Sequence, residues 1–89
     1  MNQAQEVRKH VKIGLIELRE TVMKTGHIKF SMIPSGINPK SLWAEPYFYM
    51  KHEATDITSL NHVIANFINT HGDDNKGYGV FFYIYKEEQ

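Results

Sequence analysis

No cysteine occurs in the 89 residues, so neither disulfides nor thiolate metal ligands can hold this chain, and its fold must rest on an apolar core alone. A domain of this length buries only roughly 60 to 70% of the surface its unfolded chain exposes, which leaves room for one thin core. The composition, 42% hydrophobic and 22% charged, is that of an ordinary globular protein rather than a disordered or collagenous one. The lack of cysteine suits a reducing compartment. Residues Met1 to Gln5 are polar and lack the apolar stretch of a signal peptide. Apolar runs such as Tyr47 to Met50 are far too short to cross a bilayer. The expectation is a cytoplasmic protein with no membrane partner.

Charge is balanced overall but not along the chain. Met1 to His52 holds eight Lys/Arg against four acids, and Glu53 to Gln89 holds two against six. A protein that only coats nucleic acid carries a clear basic excess and a DNA mimic a clear acidic one, so neither class is expected. Near-zero net charge favours self-association, and a homodimer is one expected partner state.

From about Gln3 to Thr25, Ala4, Val7, Val11, Leu15, Leu18 and Val22 recur at intervals of three and four. This spacing predicts one long helix ended by Gly26, with Ile13, Ile16 and Met23 on a second apolar side and Arg8, Lys12 and Arg19 along a flank. His27 to Ile33 alternates as a half-buried strand does. Pro34 to Pro39 reads as a loop, and Trp43 to Lys51 as a second strand, with Pro46 confining its early part to an edge or a bulge. A second helix, capped by Asp56 or Thr58, carries Leu60, Val63, Ile64, Phe67 and Ile68 on one stripe as far as His71. Asp73 to Gly77 forms a turn, and Tyr78 to Tyr85 is a strand rich in aromatic and branched residues.

This order implies an α+β fold: one domain, residues 1–89 with frayed ends at 1–3 and 86–89, built α-β-β-α-β. A three-stranded, mainly antiparallel sheet packs with two helices, the first strand lying between the other two.

Motifs that carry chemistry are absent. His52-Glu53-Ala54-Thr55-Asp56 lacks the second histidine of a zinc helix and reads as a solvated turn. His10, His27, His62 and His71 have no ligand spacing, Asp73-Asp74 lacks the alternating oxygens of a calcium loop, and Lys40-Ser41 lacks the glycine of a phosphate loop. None of the four serines lies in a nucleophile elbow. No catalytic residue, metal or cofactor is expected.

The string Lys76-Gly77-Tyr78-Gly79-Val80-Phe81-Phe82-Tyr83 resembles the RNP1 motif of RNA-recognition motif domains, where a basic residue meets phosphate and strand aromatics stack on bases. It departs from that pattern at Val80, where the family has a stacking aromatic, and at Phe81, where it has a small branched residue. The resemblance implies single-stranded nucleic-acid binding by Tyr78, Phe81, Tyr83 and Tyr47, with Lys76, Lys51, Arg8 and Lys12 on phosphates.

The leading expectation comes instead from the strand faces. With Val80, Phe82 and Ile84 turned to the helices, Phe81, Tyr83 and Tyr85 turn away, and Tyr47 and Tyr49 join them opposite Phe48 and Met50. Such a patch marks a binding surface unless the first helix covers it. It predicts a non-catalytic interaction module whose partner is another protein, docking on Tyr47, Tyr49, Phe81, Tyr83 and Tyr85 or on the Ile13/Ile16 side of the first helix. In length, cysteine content and lack of catalytic motifs the chain resembles small accessory proteins of phages and mobile elements.

Overall fold

Gly14 divides what the spacing joined. In the computed structural model, which describes residues 9–71 and 79–86, His10–Ile13 is a strand, β1, and helix α1 runs only from Leu15 to Thr25. Gly14 sits between them with extended backbone, φ −80° and ψ 158°. Its carbonyl accepts the first helical bond from Leu18 N at 3.0 Å, while its own N–H donates to Glu17 Oε1 at 3.2 Å. That carboxylate satisfies one of the donors a helix start leaves open. The expected continuous helix from Gln3 is thus corrected. His-Val-Lys-Ile alternates with period two, and the Val11 to Leu15 interval of four spans the junction. The other end behaves as the sequence implies: Gly26 takes the left-handed conformation, φ 75°, and its N–H donates to Val22 O at 2.9 Å.

Strand β2, Ile28–Pro34, is the spine of the sheet. Phe30, Ser31, Met32 and Ile33 are all essentially inaccessible to water, which a strand achieves only when both its faces are covered. The next segment corrects a second expectation. Leu42–Ala44 is a 3-10 turn and Glu45–Tyr49 a short helix, α2, where the aromatic residues suggested a strand. Pro46 occupies the first turn of α2, where its missing N–H breaks no bond. Ala44 and Phe48, four apart, are both buried, the helical rather than the strand spacing. Strand β3 comes later and is short, His52–Ala54, so His52 and Glu53 lie in the sheet and not in a turn. Helix α3, Ile57–His71, starts at Asp56, whose Oδ1 accepts from Ser59 N at 2.8 Å. Strand β4 is Val80–Tyr85.

Four strands, not three, make the sheet, in the order β1-β4-β2-β3 with every neighbouring pair antiparallel. The strand expected in the middle, β2, does lie between two others, but its neighbour opposite β4 is His52–Ala54 instead of the expected Trp43 to Lys51, and β1 is added along the far edge of β4. The ladder pairs Ile13 with Phe82, Ser31 with Tyr83 and Phe30 with His52. Helices α1 and α3 lie on one face, where Leu18, Val22, Ile28, Phe30, Met32, Leu60, Phe67 and Phe82 form the main core. The other face has a smaller core of its own, in which Ala44 and Phe48 pack on Ile33 and Tyr83. No helix among the described residues is long and apolar enough to cross a membrane.

Candidate functional site

The alternation expected for β4 is observed: Val80, Phe82 and Ile84 join the helix-side core, and Phe81 and Tyr83 the opposite one. What covers that opposite face is the segment that did not become a strand. Phe48 lies edge-on to Tyr83, ring centroids 5.2 Å apart, and Tyr83 is only 7% exposed. Burial pushes its phenol above the ordinary tyrosine pKa. Phe81 lies under the Lys12 ammonium, 4.3 Å from the ring centroid, a cation–π contact. The five aromatics therefore do not form one exposed patch. Tyr47, on α2, turns towards α3, where its ring meets those of Phe67 and His71 at 6.0 and 5.5 Å. Tyr49 and Tyr85 keep substantial exposure.

Those two tyrosines border a cleft of about 350 Å³ on the outer face, lined by Lys29, Phe30, Ser31, Tyr49, Lys51 and Tyr85. Strands β2 and β4 supply Lys29, Ser31 and Tyr85; the chain between α2 and β3 supplies Tyr49 and Lys51. Lys51 Nζ hydrogen-bonds with His10 Nε2 at 2.7 Å, and lies 5.2 Å from the Tyr85 ring centroid. His10 is held between Phe48 and Tyr85, at 4.7 and 5.3 Å. Ser31 Oγ donates to Phe48 O at 3.1 Å, tying the covering helix to the spine of the sheet. Among the described residues, Glu53 pairs in register with Lys29, and its carboxylate accepts from His27 Nε2 at 2.8 Å. That bond holds the Glu53 pKa below the usual carboxylate value.

The same covering segment carries the most exposed large apolar side chains among the described residues, Leu42 at 80% and Trp43 at 81%. Their backbone is pinned on both sides. Ser41 Oγ accepts from Trp43 N at 3.2 Å and Ala44 N donates to Ser41 O at 3.1 Å, while Ala44 itself is fully buried against the second core. Sequence reading missed both residues because it placed Trp43 at the start of a strand; the signal available was Ser41 as a cap followed by Pro46 in a first helical turn.

Of the helix 1 candidates, Ile13 is not helical: it lies in β1 and packs partly against the main core. Ile16 and Met23, seven apart on α1, are each 70% exposed. Lys76, Tyr78 and Arg8 fall outside the described residues; Lys12 and Lys51 flank opposite ends of the aromatic row on β4. A third feature lies on the helix side, a shallow hollow lined by His52, Val63, Asn66, Phe67, Thr70 and His71. His52 Nε2 is buried there without a hydrogen-bond partner among the described residues. Burial first, and the neighbouring His71 second, depress its pKa. No cluster of three or more metal-ligating side chains occurs among the described residues.

No family model, curated protein or solved structure matches the chain. A functional reading therefore rests on these surfaces.

Proposed function

We propose that the protein is a non-catalytic interaction module, a small regulator, adaptor or inhibitor, that docks on another protein through Leu42 and Trp43. The observation that carries this reading is a tryptophan held in water by an ordered backbone. An indole offers roughly 200 Å² of surface, whose burial is worth about 5 kcal/mol at about 25 cal/mol per Å². Folding leaves that contribution unused at Trp43. An ordered Trp-Leu pair also loses little entropy when a partner closes over it, and tryptophan is enriched among residues that dominate interface energies.

The occupant is a different protein with an apolar pocket rather than a second copy. Side chains four-fifths exposed project from the surface and need a recess to receive them; a second copy would have to offer that recess elsewhere on its own surface, a case the sedimentation arm of the test separates. Tyr49, on the same segment, adds exposed aromatic surface with a polar tip, suited to the rim of such an interface.

The test compares capture by the wild type, by Trp43→Ala and by Ile16→Ala, with sedimentation of the free protein. A partner held by the wild type and by Ile16→Ala but lost with Trp43→Ala supports the reading. A partner that ignores Trp43, or a stable homodimer abolished by Trp43→Ala, overturns it.

A further inference from the structure

We infer that helix α1 is the contact surface of a parallel, two-fold homodimer, in which Ile16 and Met23 of one copy meet the same residues of a second. The surface is separate from Leu42 and Trp43 and does not depend on the docking proposed for them.

Leu18 and Val22 turn one side of α1 into the main core, while Ile16 and Met23 project from another, each 70% exposed. They are seven residues apart, one heptad, so they rise in a single line along the helix. Apolar exposure alone would fit many partners; the charges beside it narrow the choice. At about 100° per residue, Glu20 lies about 40° to one side of Ile16 and Arg19 about 60° to the other. The apolar line is therefore flanked, midway along, by one acid and one base at nearly the same height. Both are exposed. Among the described residues neither is in an ion pair, even with Lys24, one turn beyond Glu20.

Which flanks meet in a helix pair depends on its direction. When two copies of α1 run parallel about a two-fold axis, unlike flanks come together, so Arg19 of each copy lies beside Glu20 of the other on both sides. Ile16 then meets Ile16, and Met23 meets Met23. In an antiparallel pair like flanks come together, and Arg19 faces Arg19 while Glu20 faces Glu20. The surface is thus complementary to its own copy in the parallel arrangement and repelled by it in the antiparallel one. A net charge of zero adds no long-range repulsion between copies.

The 11 residues of α1 span about 16 Å, which puts the contact at the small end of specific interfaces. The dimer is accordingly weak, with a dissociation constant of roughly 100 µM. At concentrations well below that the chains separate, so Ile16→Ala leaves capture through Trp43 unchanged.

The experiment is sedimentation equilibrium of the whole protein from about 10 µM to about 1 mM at physiological salt, a range over which the wild type should pass from monomer to dimer. Ile16→Ala should weaken association at least about tenfold, since each dimer loses two buried side chains. Arg19→Glu and Glu20→Arg alter exposed groups and leave the core intact; each should abolish self-association, because the flanks that meet then carry like charges. An equimolar mixture of these two variants should associate again, and so should the double variant, in which the two charges are exchanged. Trp43→Ala should change nothing, which separates failure here from failure of the docking proposal. A chain that stays monomeric to about 1 mM leaves the face to some other partner and overturns the inference. A dimer indifferent to Ile16→Ala or to either charge reversal, or a mixture of the reversed variants that stays monomeric, overturns it equally.

Discussion

The Phe48 ring meets Tyr83 edge-on at 77°, with centroids 5.2 Å apart, and this contact closes the second face of the sheet. It joins the short helix α2 to the central strand β4, so the chain has cores on both sides of one sheet. Truncation of Phe48 to alanine should cost about 3 to 5 kcal/mol, the usual loss for a fully buried phenylalanine. Urea unfolding checks this; a loss below about 1 kcal/mol would mean that α2 does not anchor the face.

The same contact sets the chemistry of Tyr83. Burial favours the neutral phenol, so Tyr83 should ionise above the ordinary tyrosine value. The linked stability is present below the unfolded pKa near 10 and is lost as pH rises through the folded value. An alkaline absorbance titration should show a late-ionising component that is lost in Tyr83→Phe and moves earlier in a folded Phe48→Leu variant, where the covering ring is gone.

His52 predicts the opposite end of the pH scale. Its folded pKa is depressed by burial and by His71, so below the ordinary value of about 6.5 the unfolded chain binds a proton that the folded one resists. Stability should fall as pH drops from that value to the folded pKa and then level off for this group. Urea midpoints between neutral and mildly acidic pH should decline in the wild type and decline less in His52→Phe; equal slopes would contradict the assignment. Replacement of His71 by glutamine removes the repulsion and should raise the His52 pKa, read from imidazole proton shifts.

Backbone geometry gives a sharper contrast between two glycines. Gly26 has φ 75°, a conformation that costs an L-residue about 1 to 2 kcal/mol, whereas a Cβ at Gly36 meets nothing within 4 Å and needs no unusual φ. Thermal melts should place Gly26→Ala well below the wild type and Gly36→Ala beside it.

Much of this architecture was legible because local signals agreed. The Leu60, Val63, Ile64 and Phe67 stripe, the Asp56 cap and the Gly26 stop all specified helix boundaries, and the β4 alternation correctly separated Phe82 from Tyr83. Errors arose where two periods overlapped. Val11 and Leu15 are four apart yet lie in different elements, and only the extended Gly14 reveals the break. Around Trp43 to Tyr49 the aromatic residues have high strand propensity, but burial of Ala44 and Phe48 against Ile33 and Tyr83 favoured a helical turn. Propensity is local, and that burial depends on a face assembled from distant strands. Ser41 as a cap and Pro46 in a first helical turn hinted at the turn that carries Leu42 and Trp43, but not at their exposure, which depends on the same distant strands.

The central claim is that Trp43 stands in water until another protein covers it. Because it is the only tryptophan in the chain, its fluorescence reports on this residue alone, and the first measurement is quenching by iodide before and after addition of a captured partner. The account predicts quenching close to that of a free indole in the isolated protein, followed by shielding and a blue shift when the partner binds. An indole already shielded in the isolated protein, or one unchanged by a bound partner, would contradict it.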